Sequence, residues 1–289
     1  MASTPQPRSL NTANAKSPRV SGHYASQSGN DRDIQARALR KLLLERQWTR
    51  MQFEQGVNEI AEHVLRNSRV MHTANFTSTT ASDLQRMAEL YDAYFFDSRL
   101  LSLAKQFGIS FRWSSRMTSA GGKTIRSMHR ARGSKKTDVT YEIALSSTLL
   151  FQTFGDLQRP IRVTGYDCSN RIQAMQRILE HELIHLGEML VWNDSNCAAG
   201  RFQTIANRFF GHTEHKHDLV TQQERAAKKY NIRVGSMVSF GHEGRTYIGK
   251  VNRITRRATI LVVDPAGERY DDGKCYRKFY VPLVQLRPV

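Results

Sequence analysis

His181, Glu182, Leu183, Ile184 and His185 form an H-E-x-x-H pentad. Residues four apart share one face of a helix, so the two imidazoles can converge on a single metal ion while Glu182 reaches a water beside it. Zinc with a water activated by a carboxylate is an arrangement for hydrolysing peptide bonds. The pentad needs a helix beneath it. Ile178, Leu179, Leu183, Leu186 and Leu190 recur at helical spacing, which predicts a buried helix from Arg171 to about Trp192. The bland alternative is a core helix whose two histidines are only hydrogen-bonded.

The elements around that helix follow from periodicity. An amphipathic pattern from Asp31 to Arg50 sets Ile34, Ala38 and Leu42 against Arg32, Arg37, Arg40, Lys41 and Arg46, and reads as a basic helix. Further helices are expected from Phe53 to Arg66 and from Ala81 to Phe95, the second with Thr79, Thr80 or Ser82 as its cap. Ile109 to Trp113, Lys123 to Met128 and Tyr141 to Leu145 carry strand formers. Gly121-Gly122 and the basic loop His129 to Lys136 separate them, and a small antiparallel sheet beside the helices is expected. Another helix is expected from about Arg201 to Phe210.

After Tyr230 the pattern changes to short strands, Met237 to Phe240, Thr246 to Ile254, Ala258 to Asp264 and Lys278 to Leu283, which suggests a small barrel. The expected organisation is thus a tail over 1–30, a basic helical extension over 31–80, a catalytic domain over 81–230 and the barrel over 231–289.

Bulk properties narrow the partners. The 289 residues hold 43 Lys and Arg against 26 Asp and Glu, a net charge of +17, which points to a polyanion and first to nucleic acid. The barrel region carries eleven basic and five acidic residues. Lys250, Arg253, Arg256, Arg257, Lys274, Arg277 and Lys278 are its candidate phosphate contacts, and Tyr247, Tyr276, Phe279 and Tyr280 are interleaved as stacking platforms or as core. Three widely spaced cysteines argue against a disulfide framework. No apolar run approaches the roughly 20 residues of a membrane span, and Met1 to Asn30 lacks a signal-peptide core, so an intracellular protein with no membrane partner is expected.

The chain resembles the SprT-like zinc metalloproteases from about Ala81 to His212. Tyr91 to Leu100 is similar to that family's helix end before its sheet, and Trp113 to Thr118 with Gly121-Gly122 to its first strand and turn. Tyr141 to Ser146 is similar to its last strand, and His181 to His185 to its metal motif. The resemblance implies an α+β fold, with a helical zincin-type domain ahead of the barrel, and a zinc endopeptidase acting on proteins associated with DNA, Glu182 being the general base. One departure is plain: where the family supplies its third ligand from a histidine followed by glycine, this chain reads Ser195-Asn196-Cys197-Ala198-Ala199-Gly200.

Cys197, twelve residues beyond His185, offers a thiolate in its place. The alternatives are His212, at the far end of the next helix, and Glu188, one turn past His185 and equally suited to orienting a ligand histidine. A ten-residue helix is about 15 Å long, so Cys197 and His212 cannot both reach one ion. His215 and His217 are assigned to solvent or substrate, and Arg116 and Tyr166 are candidate oxyanion helpers. A rival reading keeps the metal as a closed structural site and leaves nucleic-acid binding, of DNA ahead of RNA, as the whole function.

Overall fold

The computed structural model describes residues 24–130, 137–155, 157 and 159–289, with side chains from residue 30 onward. The expected tail over 1–30 lies almost wholly outside these residues, as does the loop over 131–136. The architecture is mixed α+β. Four helices come first: α1 (Tyr24–Glu45), α2 (Arg50–Asn67), α3 (Ala81–Phe95) and α4 (Arg99–Lys105). Strands β1 (Ile109–Ser114), β2 (Gly122–Arg130) and β3 (Thr137–Ser146) follow, then α5 (Ser147–Thr153) and the short pair β4 (Ile161–Val163) and β5 (Tyr166–Cys168). Next are α6 (Arg171–Trp192), α7 (Gly200–Phe210) and α8 (Gln222–Tyr230). The chain ends in β6 (Met237–His242), β7 (Arg245–Ile254), β8 (Ala258–Arg269), β9 (Cys275–Val281) and β10 (Arg287–Pro288).

Local chemistry sets these boundaries. Thr49 and Gln52 close a reciprocal capping box on α2, and Thr80 and Asp83 close one on α3, so the first free amides of each helix have partners. The buried carboxylate of Asp92 accepts hydrogen bonds from the Leu100 and Leu101 amides and thereby caps the start of α4. Asn170 caps α6, which ends at Asn193 in the left-handed conformation.

α6 carries the metal pentad through the middle of the molecule. Leu179, Leu183, Ile184 and Leu186 are fully buried on it, and one continuous core runs from Leu39 of α1 to Val220. The N-terminal helices therefore pack into the same core as α6. On α1 the buried stripe is Leu39, Leu42 and Leu43, while Ile34, expected on that stripe, is half exposed; Gln106 and Phe107 meet that end of the helix through Arg32 and Gln35 instead.

The three-stranded sheet is ordered β1-β3-β2 and is mixed, which corrects the antiparallel expectation. β3 pairs in parallel with β1, Ile109 opposite Tyr141, and antiparallel with β2, Gly122 opposite Leu145. The reason is the seven-residue turn between β1 and β2. It carries the chain past its neighbour to the outer position, so β3 returns into the gap and is buried at Ile143, Ala144 and Leu145.

The C-terminal strands form a five-stranded antiparallel sheet, ordered β10-β6-β7-β8-β9, over a second core of Val238, Phe240, Val251, Ile260, Phe279 and Val281. Phe240, Tyr247 and Phe279 pack ring against ring, with centroids 4.9 to 5.8 Å apart. Two of the four aromatics read as stacking platforms are thus core residues, and Tyr280, 63% exposed, is the one left most open. Among the described residues no helix is long and apolar enough to cross a membrane.

Candidate metal centre

His181 and His185 project from one face of α6, and their Nε2 atoms lie 3.1 Å apart. Cys197 reaches them from the loop between α6 and α7. The two imidazoles and the thiol offer donor atoms all within 4.8 Å of one another, the one such group found among the described residues. Tetrahedral zinc, with bonds of about 2.0–2.3 Å to nitrogen and sulfur, needs donor separations near 3.4 Å, so the two imidazoles are close to that spacing and the donor types suit the ion.

The surroundings prepare both histidines. Ser195 donates its hydroxyl hydrogen to Glu188 Oε2 at 2.6 Å and lies 2.7 Å from His185 Nδ1. With that hydroxyl hydrogen committed to the carboxylate, Nδ1–H of His185 must be the donor to Ser195, which leaves the Nε2 lone pair facing the site. Arg201 holds Glu188 from the other side at 2.6 Å. Glu188 is thus placed to orient His185 through Ser195, and it is not one of the three clustered donors. Burial, followed by repulsion from neighbouring imidazoles, pushes His181 down to about 2, and burial pushes His185 down to about 4. Both rings are neutral at pH 7 and able to bind metal. Burial pushes the Cys197 thiol up, so its ionisation depends on a cation at the site.

His212 takes no part. It follows the α7 C-cap Gly211 and is buried, its Nε2 2.9 Å from Glu180 Oε2. Glu180 also accepts from Tyr91 at 2.6 Å and pairs with Arg177 at 2.8 Å, all of it inside the core. His212 belongs to this network and is not among the clustered donors, so the structure does not bring the alternative ligand to the His181–His185 pair.

Glu182 turns into a cleft of about 590 Å³ whose wall also includes His181, His185 and Cys197. Thr124 of β2 donates to its Oε2 at 2.8 Å. Burial lifts Glu182 to about 7, with the Thr124 hydrogen bond pulling the other way. Gly122 makes room for it: a Cβ there would fall 2.7 Å from Glu182 Oε1. In the sequence Gly121-Gly122 reads as a turn signal, and only the packed strand reveals Gly122 as a point of close approach. His215, Lys216 and His217 also line the cleft. His217 accepts the Gly121 amide on Nε2 at 2.7 Å and so fixes the turn, while His215 lines the cleft.

Comparison of the chain with family models, curated proteins and solved structures finds no match to any of the three. The oxyanion candidates from sequence lie elsewhere: Tyr166 donates its hydroxyl to the Phe210 carbonyl, and Arg116 lines a different cleft.

The seven basic residues assigned to phosphate contacts also separate. Arg277 is paired with Asp264 at 2.6 Å and Lys278 with Glu268 at 2.7 Å, whereas Arg253, Arg256 and Arg257 stand at the β7–β8 turn with no ion pair among the described residues. Lys250 is exposed on β7, and Lys274 is exposed at the turn before β9.

Proposed function

We propose that this chain is a zinc-dependent endopeptidase of SprT-like, zincin type that acts on proteins associated with nucleic acid. The observation that carries the reading is the convergence of His181, His185 and Cys197 beside a carboxylate that faces an open cleft. Three protein ligands leave one position of a four-coordinate ion free, which is the catalytic pattern, whereas a purely structural site needs a fourth donor. That difference favours the enzyme over the scaffold reading.

Zinc, when bound, supplies Lewis-acid polarisation of the scissile carbonyl and makes water acidic enough to attack near neutral pH. The chain's own groups do the rest. Glu182 accepts the proton of the attacking water on a carboxylate oxygen and returns it to the leaving amine nitrogen. Thr124 fixes the rotamer of that carboxylate, and Ser195 with Glu188 holds the His185 ring in place. His215 and Lys216, which line the same cleft, offer donors to the substrate backbone. The basic C-terminal sheet holds nucleic acid near these groups.

The direct test is incubation of the zinc-loaded protein with a protein bound to single-stranded DNA, with fragments read by mass spectrometry. Discrete cleavage is expected, and an intact substrate under all nucleic-acid conditions favours the scaffold. The pH profile tests Glu182 further. The base works only when ionised, so kcat/KM falls as pH drops through its pKa. Thr124→Val removes the side-chain one of the two Thr124 hydrogen bonds that lower this pKa and keeps the backbone one, so the acidic limb should move to higher pH by roughly half a pH unit. A limb that stays in place, with zinc retained, argues that another group titrates.

A further inference from the structure

We propose that a second cleft, where the β1–β2 turn meets the β7–β8 turn, is the seat of single-stranded nucleic acid, and that the β1–β2 turn joins it to the metal cleft. The proposal deepens the reading above and rests on it for the consequence at the metal site, though the binding stands alone. The second cleft has a volume of about 450 Å³ and is lined by Arg116 and Thr118 on one side and by Arg253, Arg256, Arg257 and Tyr280 on the other.

Charge decides what this cleft takes. All four arginines are exposed, and among the described residues none is paired with a carboxylate, while Arg277 and Lys278 on the same sheet are neutralised by Asp264 and Glu268. Four unpaired guanidinium groups around one hollow repel one another and match a chain of phosphates, whose binding releases condensed counterions. Tyr280 adds the second element. The residue is 63% exposed beside the cations, and a base stacks on such a ring only when its face is free. A duplex keeps its base faces stacked inside, so the cleft selects the single strand.

Position gives the cleft its meaning. Ser115, Arg116 and Thr118 line it, while Ser119, Ala120 and Gly121 of the same turn line the metal cleft. Three hydrogen bonds pin this turn to the end of β3 and the start of α5: Thr148 Oγ1 donates to the Ser115 carbonyl, Ser146 Oγ to that of Met117, and the Ser146 amide to that of Gly121. Five residue steps separate Arg116 from Gly121, so at most about 18 Å divides the two. A strand seated on Arg116 brings whatever protein it carries to the rim of the metal cleft, and the substrates are those attached to or wrapped by exposed single strands.

The test measures fluorescence anisotropy of a labelled single-stranded oligodeoxynucleotide, and of its duplex, with full-length zinc-loaded protein across a salt series. Arg116→Glu with Arg257→Glu should weaken single-strand binding at least about tenfold and flatten the salt slope by about 1.4, two phosphate contacts at about 0.7 each. Tyr280→Ala should weaken the single strand about fivefold or more and leave the duplex unchanged. Zinc content and melting temperature should match wild type, which separates lost binding from lost folding. Equal affinity for duplex and single strand overturns the proposal. So does full affinity in the Arg116→Glu, Arg257→Glu protein, or loss of binding on reversal of Arg37 and Arg40 of α1 alone. If the binding pattern holds but no substrate is cut, the cleft stands and the peptidase reading falls; cleavage with unaltered binding in the cleft variants gives the reverse.

Discussion

Glu182→Gln is expected to retain one zinc ion per chain and to lose cleavage by a factor of about 10² to 10⁴, the range that a positioned general base contributes. The amide keeps the shape of the side chain beside Gly122, where there is no room for a Cβ, and its oxygen can still accept from Thr124. What it lacks is the ability to take the proton of the attacking water. Zinc content by elemental analysis and cleavage by mass spectrometry separate the two properties. A Glu182→Gln protein that cuts at the wild-type rate removes Glu182 from the mechanism.

The third ligand and the buried network predict opposite behaviour for two residues that sequence alone left as rivals. Cys197→Ser should lower zinc affinity in chelator competition by more than about 100-fold, beyond the loss typical of residues that only support a ligand. The stability of the metal-free protein should change little, since Cys197 is only partly buried. His212→Ala should do the converse. It empties a buried site and takes one donor from Glu180, which remains packed against Arg177 and Tyr91, so a loss of about 2–4 kcal/mol is expected with zinc affinity nearly unchanged. The reverse ranking in chelator competition would return His212 to the metal and undo the account of the Glu180 network.

Much of this architecture is legible in the sequence because it is written in local patterns. The pentad, the apolar repeat beneath it and the spacing to Cys197 all lie within one helix and the loop after it. The helices read over Phe53 to Arg66 and Ala81 to Phe95 are legible for the same reason, although the Thr49 cap that starts the first at Arg50 is not. What stayed hidden depends on distant segments meeting. Thr124 and Gly122 reach Glu182 from a strand some sixty residues earlier, and no periodicity marks either as part of the site. The parallel pairing of β1 with β3 is invisible to rules that pair neighbours in sequence. Ser195 looked like a loop residue, and its role emerges only where Glu188 and His185 flank its hydroxyl. Arg116 was sought at the oxyanion, whereas the fold carries it to three arginines well over a hundred residues away. The charge of the C-terminal sheet was evident, but which cations are spent on their own acids was not.

The central claim is that His181, His185 and Cys197 hold a zinc ion with one position open to solvent, and X-ray absorption at the zinc edge of the purified protein tests it most directly. The account predicts one zinc per chain with a single sulfur at about 2.3 Å and three nitrogen or oxygen neighbours at about 2.0–2.1 Å, one of them exchangeable for an added hydroxamate. A spectrum with no sulfur, or with four protein donors that the hydroxamate leaves untouched, would contradict it.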